Sequence, residues 1–235
     1  MTEPQKYTAI LEEKIVHNSK YTELHFEFKQ PPTIHNAAGQ FVMIDVQPNL
    51  KRAYSMCDRP DIDHGFELVL ATSGGGAGVT YLTSLSFGAE ITLTAPLGNF
   101  TLDPRPETKQ LTFVATGSGI APIKAMLAQL LQIDRDPRPI RLYWGMYEEQ
   151  DYFWLDYLLT LQRAFPSFIF TPVVENPTPT WTLSRGRVTD CLAVDGVKPQ
   201  TDFYLCGNPA MVKDVTTLLT TTLRVASDRI HQEQF

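Results

Sequence analysis

The stretch Val114–Leu127, "VATGSGIAPIKAML", carries residue types that can bind phosphate through the backbone. Gly117 and Gly119 allow the chain to turn tightly and to approach a ligand closely, and Pro122 suits the first turn of a helix, where its missing N–H costs little. The free N–H groups and the dipole of a helix N-terminus attract a pyrophosphate. The pattern is G-x-G-x-x-P, with Pro122 in place of the third glycine of the dinucleotide fingerprint, so a plain strand-to-helix turn stays open as the alternative.

Two further stretches combine charge, aromatic rings and glycine. "KRAYSMCD" places Arg52, Tyr54 and Ser55 within four residues of one another, in a segment typical of a strand. "GGGAGVTYLTSL", from Gly74 to Leu85, joins a glycine run to a helix candidate, whose N-terminus would offer backbone N–H groups to an anion. A flexible hairpin connection, or a helix N-cap without a ligand, is the alternative interpretation.

Cysteine and histidine residues give weaker signals. Cys206 ends the apolar run "DFYLCG", at the carboxyl end of a predicted strand, where open α/β sheets bind ligands. No adjacent base is identified that would make it a nucleophile. The histidines show no metal-ligand spacing along the chain, and we expect no metal site from them: His17, His25, His35, His64 and His231.

The elements that must position these residues change character near "LDPRPETKQ". Before it, short runs rich in β-branched and aromatic residues recur between turn signals: "YTAILEEKIV", "YTELHFEF", "GQFVMIDV", "RAYSMC", "GFELVLAT" and "AEITLTAP". This rhythm predicts a small antiparallel barrel over residues 1–103. After it, the apolar runs "LTFVAT", "IRLYWG", "FIFTPV" and "DFYLCG" alternate with the helix candidates "APIKAMLAQLLQ", "DYFWLDYLLTLQRAF" and "PAMVKDVTTLLTTTL". Such alternation predicts a parallel α/β sheet over residues 104–235.

Composition excludes several classes of protein. The chain of 235 residues has a net charge of -6 and no clusters of Lys and Arg, which argues against nucleic acid as a partner. Its 3 cysteines are widely separated, so they indicate neither a disulfide framework nor a structural zinc site. Nothing approaches the roughly 20 apolar residues of a membrane span, and acidic residues stand where a signal peptide would be apolar. We therefore expect a cytoplasmic protein.

The order of the motifs resembles the ferredoxin-NADP reductase superfamily. R-x-Y-S, the glycine run, "APLGNF", G-x-G-I-A-P and C-G-N-P follow one another at plausible spacing, and the resemblance continues to the terminal "IHQEQF". It covers essentially the whole chain and implies an N-terminal antiparallel β-barrel that binds flavin, followed by a Rossmann-like α/β domain that binds NAD(P)H. The cofactor implied is FAD, with FMN as an alternative.

The resemblance also implies roles for individual residues. Tyr54 would lie against the isoalloxazine ring with Ser55 at its N5, Arg52 would neutralise the flavin phosphates, and Cys206 and Glu233 would lie near the path of hydride. The flavin-binding positions would be Arg52, Ala53, Tyr54, Ser55, Gly76, Gly78, Val79, Thr80 and, as the terminal aromatic ring over the flavin, Phe235. The positions for the nicotinamide nucleotide would be Thr116, Gly117, Ser118, Gly119, Pro122, Tyr147, Cys206, Gly207, Asn208 and Pro209.

The implied activity is hydride transfer from NADH or NADPH to the flavin, with electrons passed on to a separate acceptor. That acceptor could be ferredoxin, flavodoxin or a monooxygenase-type partner. Two alternatives stay open. One is an NAD(P)H-flavin reductase that uses free flavin as substrate, and the other is a non-catalytic electron-transfer subunit of a complex.

Coenzyme choice depends on the residues after "IRLYWG". Tyr147 stands where many relatives carry arginine, and Glu148 and Glu149 are adjacent. Acidic side chains suit a ribose hydroxyl and disfavour a 2'-phosphate, so we expect NADH to be used at least as well as NADPH. Arg185 and Arg187 could fold back and reverse this preference.

Overall fold

The computed structural model describes residues 3–234. The chain clusters into two compact units. One unit ends at Leu102 and also takes in Ala121–Asp134, and the other covers Asp103–Ile120 and continues from Arg135. Within the described residues, no helix is long and apolar enough to cross a membrane.

The first unit is built on a six-stranded antiparallel sheet with the order β4-β3-β6-β1-β2-β5. Each predicted strand run forms a strand: β1 (Gln5–Val16), β2 (Tyr21–Gln30), β3 (Phe41–Gln47), β4 (Leu50–Ser55), β5 (Gly65–Ala71) and β6 (Glu90–Leu97). The sheet curls into a half-barrel, which confirms the antiparallel fold predicted for this part of the chain. Cys57 lies between β4 and β5, and its N–H donates to the carbonyl of Glu67 in β5 at 3.0 Å.

Alternation along the strands fills the inside of this sheet. Tyr7, Ala9 and Leu11 of β1 are fully buried in its apolar core, as the two-residue period of a strand requires. A single helix, α1 (Ala77–Ser84), lies between β5 and β6 and adds Leu82 to the same core. The helix predicted after the glycine run is thereby confirmed.

The second unit is built on a six-stranded parallel sheet with the order β10-β9-β8-β7-β11-β12. Its strands are β7 (Gln110–Thr116), β8 (Ile140–Met146), β9 (Phe168–Val174), β10 (Ser184–Arg185), β11 (Thr201–Gly207) and β12 (Ile230–Gln234). The chain adds β8, β9 and β10 on one side of β7 and then β11 and β12 on the other side. The strand order therefore reverses between β7 and β11, and ligands bind at such a point in open α/β sheets.

In chain order, four helices follow strands of this sheet: α2 (Ile120–Ala128), α3 (Leu155–Ala164), α4 (Val188–Asp195) and α5 (Pro209–Thr217). From Ala121 onward, α2 clusters with the first unit. Shorter helical turns occur at Gly117–Gly119, Gln129–Ile133, Glu149–Asp151, Leu218–Thr222 and Ser227–Arg229. Buried residues of α4 and α5, including Leu192 and Val215, share one apolar core with the strands.

Two helices differ from the sequence-based expectation. The helix predicted over "DYFWLDYLLTLQRAF" begins only at Leu155, and the preceding residues Tyr152 and Phe153 lie in an irregular segment whose rings pack against Trp144. Helix α4 was not predicted at all. Its sequence "VTDCLAVD" is short, and only Val188 and Leu192 of it are buried, so its apolar period is weak.

Candidate functional site

The R-x-Y-S segment lies in β4, an edge strand paired with β3. Alternation along the strand sends Arg52 and Tyr54 to one side and Ala53 and Ser55 to the other. Arg52 is exposed, and Tyr54 is half-buried. Burial raises the pKa of the Tyr54 phenol, and the charge of Arg52 opposes that rise. The tyrosine is therefore neutral at physiological pH, as a stacking surface requires.

Ser55 is buried at 6% exposure. Its Oγ has no hydrogen-bond partner among the described residues. Buried hydroxyls are nearly always bonded, because leaving one unbonded costs about 1–3 kcal/mol. An acceptor outside the chain is the simplest partner for this hydroxyl.

Helix α1 brings the glycine run to Arg52 and Tyr54. A Cβ atom on Gly78 would meet the Tyr54 hydroxyl and would lie 2.9 Å from Arg52 Cγ, so only glycine fits at this position without a shift. Gly76 precedes the helix with a φ of 101°, and no side chain caps the helix N-terminus. Val79 is half-buried, and the Thr80 N–H donates to the Gly76 carbonyl.

The residues of the first unit fit a flavin nucleotide. An isoalloxazine ring needs a stacking surface and a hydrogen-bond donor, which a half-buried aromatic ring and an unbonded buried hydroxyl supply. A pyrophosphate needs positive charge and N–H donors, which a cation and an uncapped helix N-terminus supply. Arg52, Tyr54 and Gly78 are in mutual contact, which sequence separation alone did not require. The individual roles of these residues stay predictions.

In the second unit, the two predicted nucleotide loops meet at the switch point between β7 and β11. A Cβ on Gly119 would clash with the Cys206 carbonyl, and one on Gly207, whose φ is 135°, would lie 2.6 Å from the Thr116 carbonyl. The backbones of the two loops therefore touch. Gly117 and Ser118 lie in the helical turn that follows β7, and Pro122 is the third residue of α2.

Hydrogen bonds fix the second of these loops. The Asn208 N–H donates to Thr116 Oγ1 at 3.0 Å. The Asn208 side chain accepts from the Ala210 N–H at 2.8 Å and caps α5, with Pro209 as the first helical residue. Thr116 and Asn208 thus hold the two strand ends together without a ligand.

Cys206 and Glu233 are neighbours in the register of β11 and β12. Burial raises the pKa of the Cys206 thiol, and the charge of Glu233 raises it further. The thiol is protonated, which supports packing rather than nucleophilic chemistry. The terminal segment forms β12, and His231 in it stacks on Tyr204 with ring centroids 4.6 Å apart. Phe235, the predicted flavin-covering ring, lies outside the described residues.

The loop after β8 carries the residues predicted to select the coenzyme. Tyr147 is 57% exposed. Glu149 accepts hydrogen bonds from the Thr178 hydroxyl at 2.7 Å and from the Thr178 N–H at 3.2 Å. Glu148 accepts from the Gln150 amide at 2.8 Å. Both glutamates therefore make bonds within the protein.

The two arginines that could oppose these glutamates are placed differently. Arg185 donates to the Trp181 carbonyl at 2.5 Å, which holds its guanidinium on its own loop. Arg187 lies 3.5 Å from Glu175 in a pair whose two side chains are about half exposed. The Arg187 side chain can therefore leave Glu175 and turn toward a ligand, whereas the Arg185 guanidinium is held by a backbone carbonyl.

One charged cluster was not anticipated from the sequence. In the first unit, Lys124 Nζ bonds to Glu67 at 2.8 Å, and His25 bonds to Glu23 at 2.8 Å. Ligand atoms of Glu23, His25 and Glu67 lie within 4.8 Å of one another, an arrangement that could hold a metal ion. The Lys124 ammonium, which is bonded to Glu67, already supplies a positive charge to this cluster. Beside it, burial raises the pKa of Asp58 to about 7.

Family models match both units. Residues 8–102 match a family described as an oxidoreductase FAD-binding domain, and residues 113–217 match an oxidoreductase NAD-binding domain. Among solved structures, the reductase GcoB of Amycolatopsis superposes with a TM-score of 0.89 at 25% identity, covering 99% of this chain and 70% of that one.

Two curated relatives extend this result. Ferredoxin-NADP reductase B of Sorangium cellulosum is 32% identical over 91% of this chain and 91% of its own length. The ferredoxin-NAD(P)+ reductase component of the naphthalene 1,2-dioxygenase/salicylate 5-hydroxylase systems of a Ralstonia species is 31% identical over 84% of this chain, which spans 60% of that protein. The chain belongs to the ferredoxin-NADP reductase superfamily and is an NAD(P)H-dependent flavoprotein oxidoreductase.

Proposed function

We propose that this reductase takes hydride from NADH or NADPH onto FAD and delivers electrons to a separate acceptor protein, such as a ferredoxin or an oxygenase component. FAD, when bound, accepts a hydride at N5 and can release the electrons singly. Both curated relatives are named as reductases for ferredoxin, which supports this class of acceptor. Flavodoxin and a monooxygenase-type partner belong to the same proposal, and we propose the cytoplasm as its location.

Two observations on neighbouring residues of β4 carry the proposal: the Ser55 hydroxyl is buried without a partner among the described residues, and Tyr54 and Arg52 lie against Gly78. The Ser55 hydroxyl would donate a hydrogen bond to N5 of the flavin ring, and Tyr54 would cover a face of the ring. Arg52, the N–H groups of Gly78 and Val79 at the start of α1, and the Thr80 hydroxyl would meet the pyrophosphate. Ala53 and Gly76 complete this proposed set.

The switch point of the second unit would hold the nicotinamide nucleotide. Gly117, Ser118 and Gly119 would offer backbone N–H groups to its pyrophosphate, and Pro122 would keep the first turn of α2 open for it. Cys206, Gly207 and Asn208 would shape the surface under the nicotinamide. Glu233 would supply a carboxylate near the same surface, and Phe235 an aromatic ring.

A spectrum and two assays test this function. We expect the purified protein to be yellow and to oxidise NADH or NADPH with ferricyanide, without added flavin. A colourless protein that turns over only with added FAD or FMN would instead be a flavin reductase. A protein with no turnover under either condition would contradict both, and would leave a subunit that works only inside a complex.

A further inference from the structure

Trp144, near the end of β8, bonds directly to the first nucleotide loop. Its ring is fully buried, and its indole Nε1 donates to the Gly117 carbonyl at 3.0 Å. Gly117 has a φ of 54°, in the left-handed region that glycine reaches easily and leaves as easily. Hydrogen bonds from outside such a loop help to fix its conformation.

The Trp144 ring is itself held in place. The Tyr152 and Phe153 rings contact it edge-on, with centroid distances of 4.9 Å and 5.1 Å. The Tyr152 hydroxyl lies 2.6 Å from the Trp144 carbonyl and 3.0 Å from the Val173 carbonyl, and can donate to either. Burial raises the pKa of Tyr152, so this hydroxyl keeps its proton. The indole N–H therefore points at Gly117 from a rigid support.

We infer that Trp144 is a positioning residue for the nicotinamide nucleotide: its indole N–H fixes the Gly117 peptide so that the N–H groups of the Gly117–Gly119 turn face the pyrophosphate. The inference rests on the proposed function, which assigns the nucleotide to this loop. The pyrophosphate is common to NADH and NADPH. Loss of the indole hydrogen bond therefore weakens the binding of both coenzymes by the same factor.

The chain offers a matched control. The Trp181 indole also donates to a backbone carbonyl at 3.0 Å, but its acceptor is Ser184, far along the chain from the Gly117 loop. Trp144→Phe and Trp181→Phe thus each remove one indole bond of equal length. Only the first of these bonds reaches the glycine loop. The Trp181 ring stacks on Tyr152 with centroids 5.9 Å apart, and phenylalanine keeps an aromatic ring there.

The test measures KM and kcat for NADH and NADPH with ferricyanide, and the flavin content of each variant. We expect Trp144→Phe to raise KM about fivefold to tenfold for both coenzymes, as the loss of one hydrogen bond implies. Its kcat should stay within twofold of the parent and its flavin content should be unchanged. Trp181→Phe should change KM for NADH by less than twofold.

Two outcomes would overturn the inference: equal KM values in the two variants, or a Trp144→Phe effect confined to kcat or to flavin content. Lack of NAD(P)H turnover in the parent would instead contradict the proposed function. If Trp144→Phe fails to fold, the parent protein still tests the inference through its indole N–H signals. The chain has 3 tryptophans, so an NMR spectrum of the parent contains three indole N–H signals. Spectra of Trp154→Phe and Trp181→Phe identify the Trp144 signal by elimination. We expect that signal to shift on addition of NADP+, and an unshifted signal would contradict the inference.

Discussion

The two candidate binding edges satisfy their polar groups in different ways. At the β4–α1 edge of the first unit, the Ser55 hydroxyl has no partner among the described residues, and no side chain caps α1. At the β7–β11 edge of the second unit, Thr116 bonds to Asn208 and Trp144 bonds to Gly117. At the first edge a buried side-chain hydroxyl is left for a ligand to bond, whereas at the second edge the side chains of Thr116 and Trp144 are bonded within the protein.

This difference matches the two kinds of ligand that the family binds. A resident cofactor can form part of the folded structure. Hydrogen bonds that the protein leaves unmade are then completed by the cofactor whenever the enzyme works. A substrate must leave after each turnover, and a site that keeps its own hydrogen bonds can release it at low cost. The comparison thus favours tightly held FAD and exchangeable NAD(P)H.

Asp58 tests whether an unbonded buried oxygen always indicates a ligand, and it should give the largest effect. Its Oδ2 has no partner among the described residues, and burial raises its pKa from 3.8 to about 7. Asp58 therefore stays protonated in the folded protein at a pH where the unfolded chain ionises it. The stability that it contributes is full below about pH 4 and is lost as pH rises to about 7.

Replacing the carboxyl by an amide should abolish this pH dependence. Asp58→Asn keeps an acceptor for the Glu67 N–H, bonded at 3.0 Å in the parent, and cannot ionise. We expect it to exceed the parent in free energy of unfolding at pH 8 by about 2–4 kcal/mol, with little gain at pH 4. Urea unfolding at the two pH values measures this. A parallel pH dependence in parent and variant would show that Asp58 is ionised and bound by a cation instead.

Ser55 tests the opposite case, in which the unbonded group does meet a ligand. Ser55→Ala should lower the rate of flavin reduction by NADH about tenfold to a hundredfold, because one buried donor to the reacting ring is lost. Stopped-flow absorbance at the flavin band measures it. Ser84→Ala, a serine whose hydroxyl donates to the Tyr81 carbonyl in α1, is the control. An unchanged rate in Ser55→Ala would remove Ser55 from the site.

Sequence reasoning reached both edges because their signals are local. R-x-Y-S marks a strand, the glycine run marks a helix start, and G-x-G-x-x-P marks a strand-to-helix turn, each within a dozen residues. The Trp144 contact and the charged cluster around Glu67 and Lys124 were not predicted. Trp144 meets Gly117 only because parallel pairing aligns β8 with β7, and Lys124 meets Glu67 over 57 positions in sequence. Contacts of this kind depend on register and packing, which no short motif encodes.

A pair of glycines tests whether the first edge is shaped for FAD. Gly78→Ala should weaken FAD binding about tenfold, because its Cβ would displace Tyr54 and Arg52. Alanine favours a helix over glycine by about 1 kcal/mol, so lost helicity cannot explain such a result. Gly74→Ala is the matched control, since a Cβ there meets nothing within 4 Å. Flavin retained after gel filtration measures both, and equal retention would contradict the assignment of Gly78.

The smallest expected effect concerns the second edge and its choice of coenzyme. Tyr147 is 57% exposed, so an arginine there has room to meet a 2'-phosphate without disturbing the core. Glu149 bonds to Thr178 and Arg185 bonds to the Trp181 carbonyl, which leaves position 147 as the place where a new cation acts most directly. Tyr147→Arg should raise the ratio of kcat/KM for NADPH over NADH about fivefold, as one exposed charged contact allows.

Arg187 supplies the counterpart of this experiment. Its pair with Glu175 at 3.5 Å is exposed and contributes little to stability, so Arg187→Ala should leave folding unchanged. If Arg187 turns toward a 2'-phosphate, this variant lowers kcat/KM for NADPH about threefold to fivefold and leaves NADH unaffected. We expect the parent to use NADH at least as well as NADPH, and Arg187→Ala therefore to change the ratio less than Tyr147→Arg does. A parent that strongly prefers NADPH, and loses that preference in Arg187→Ala, would show that the arginine overrides the two glutamates.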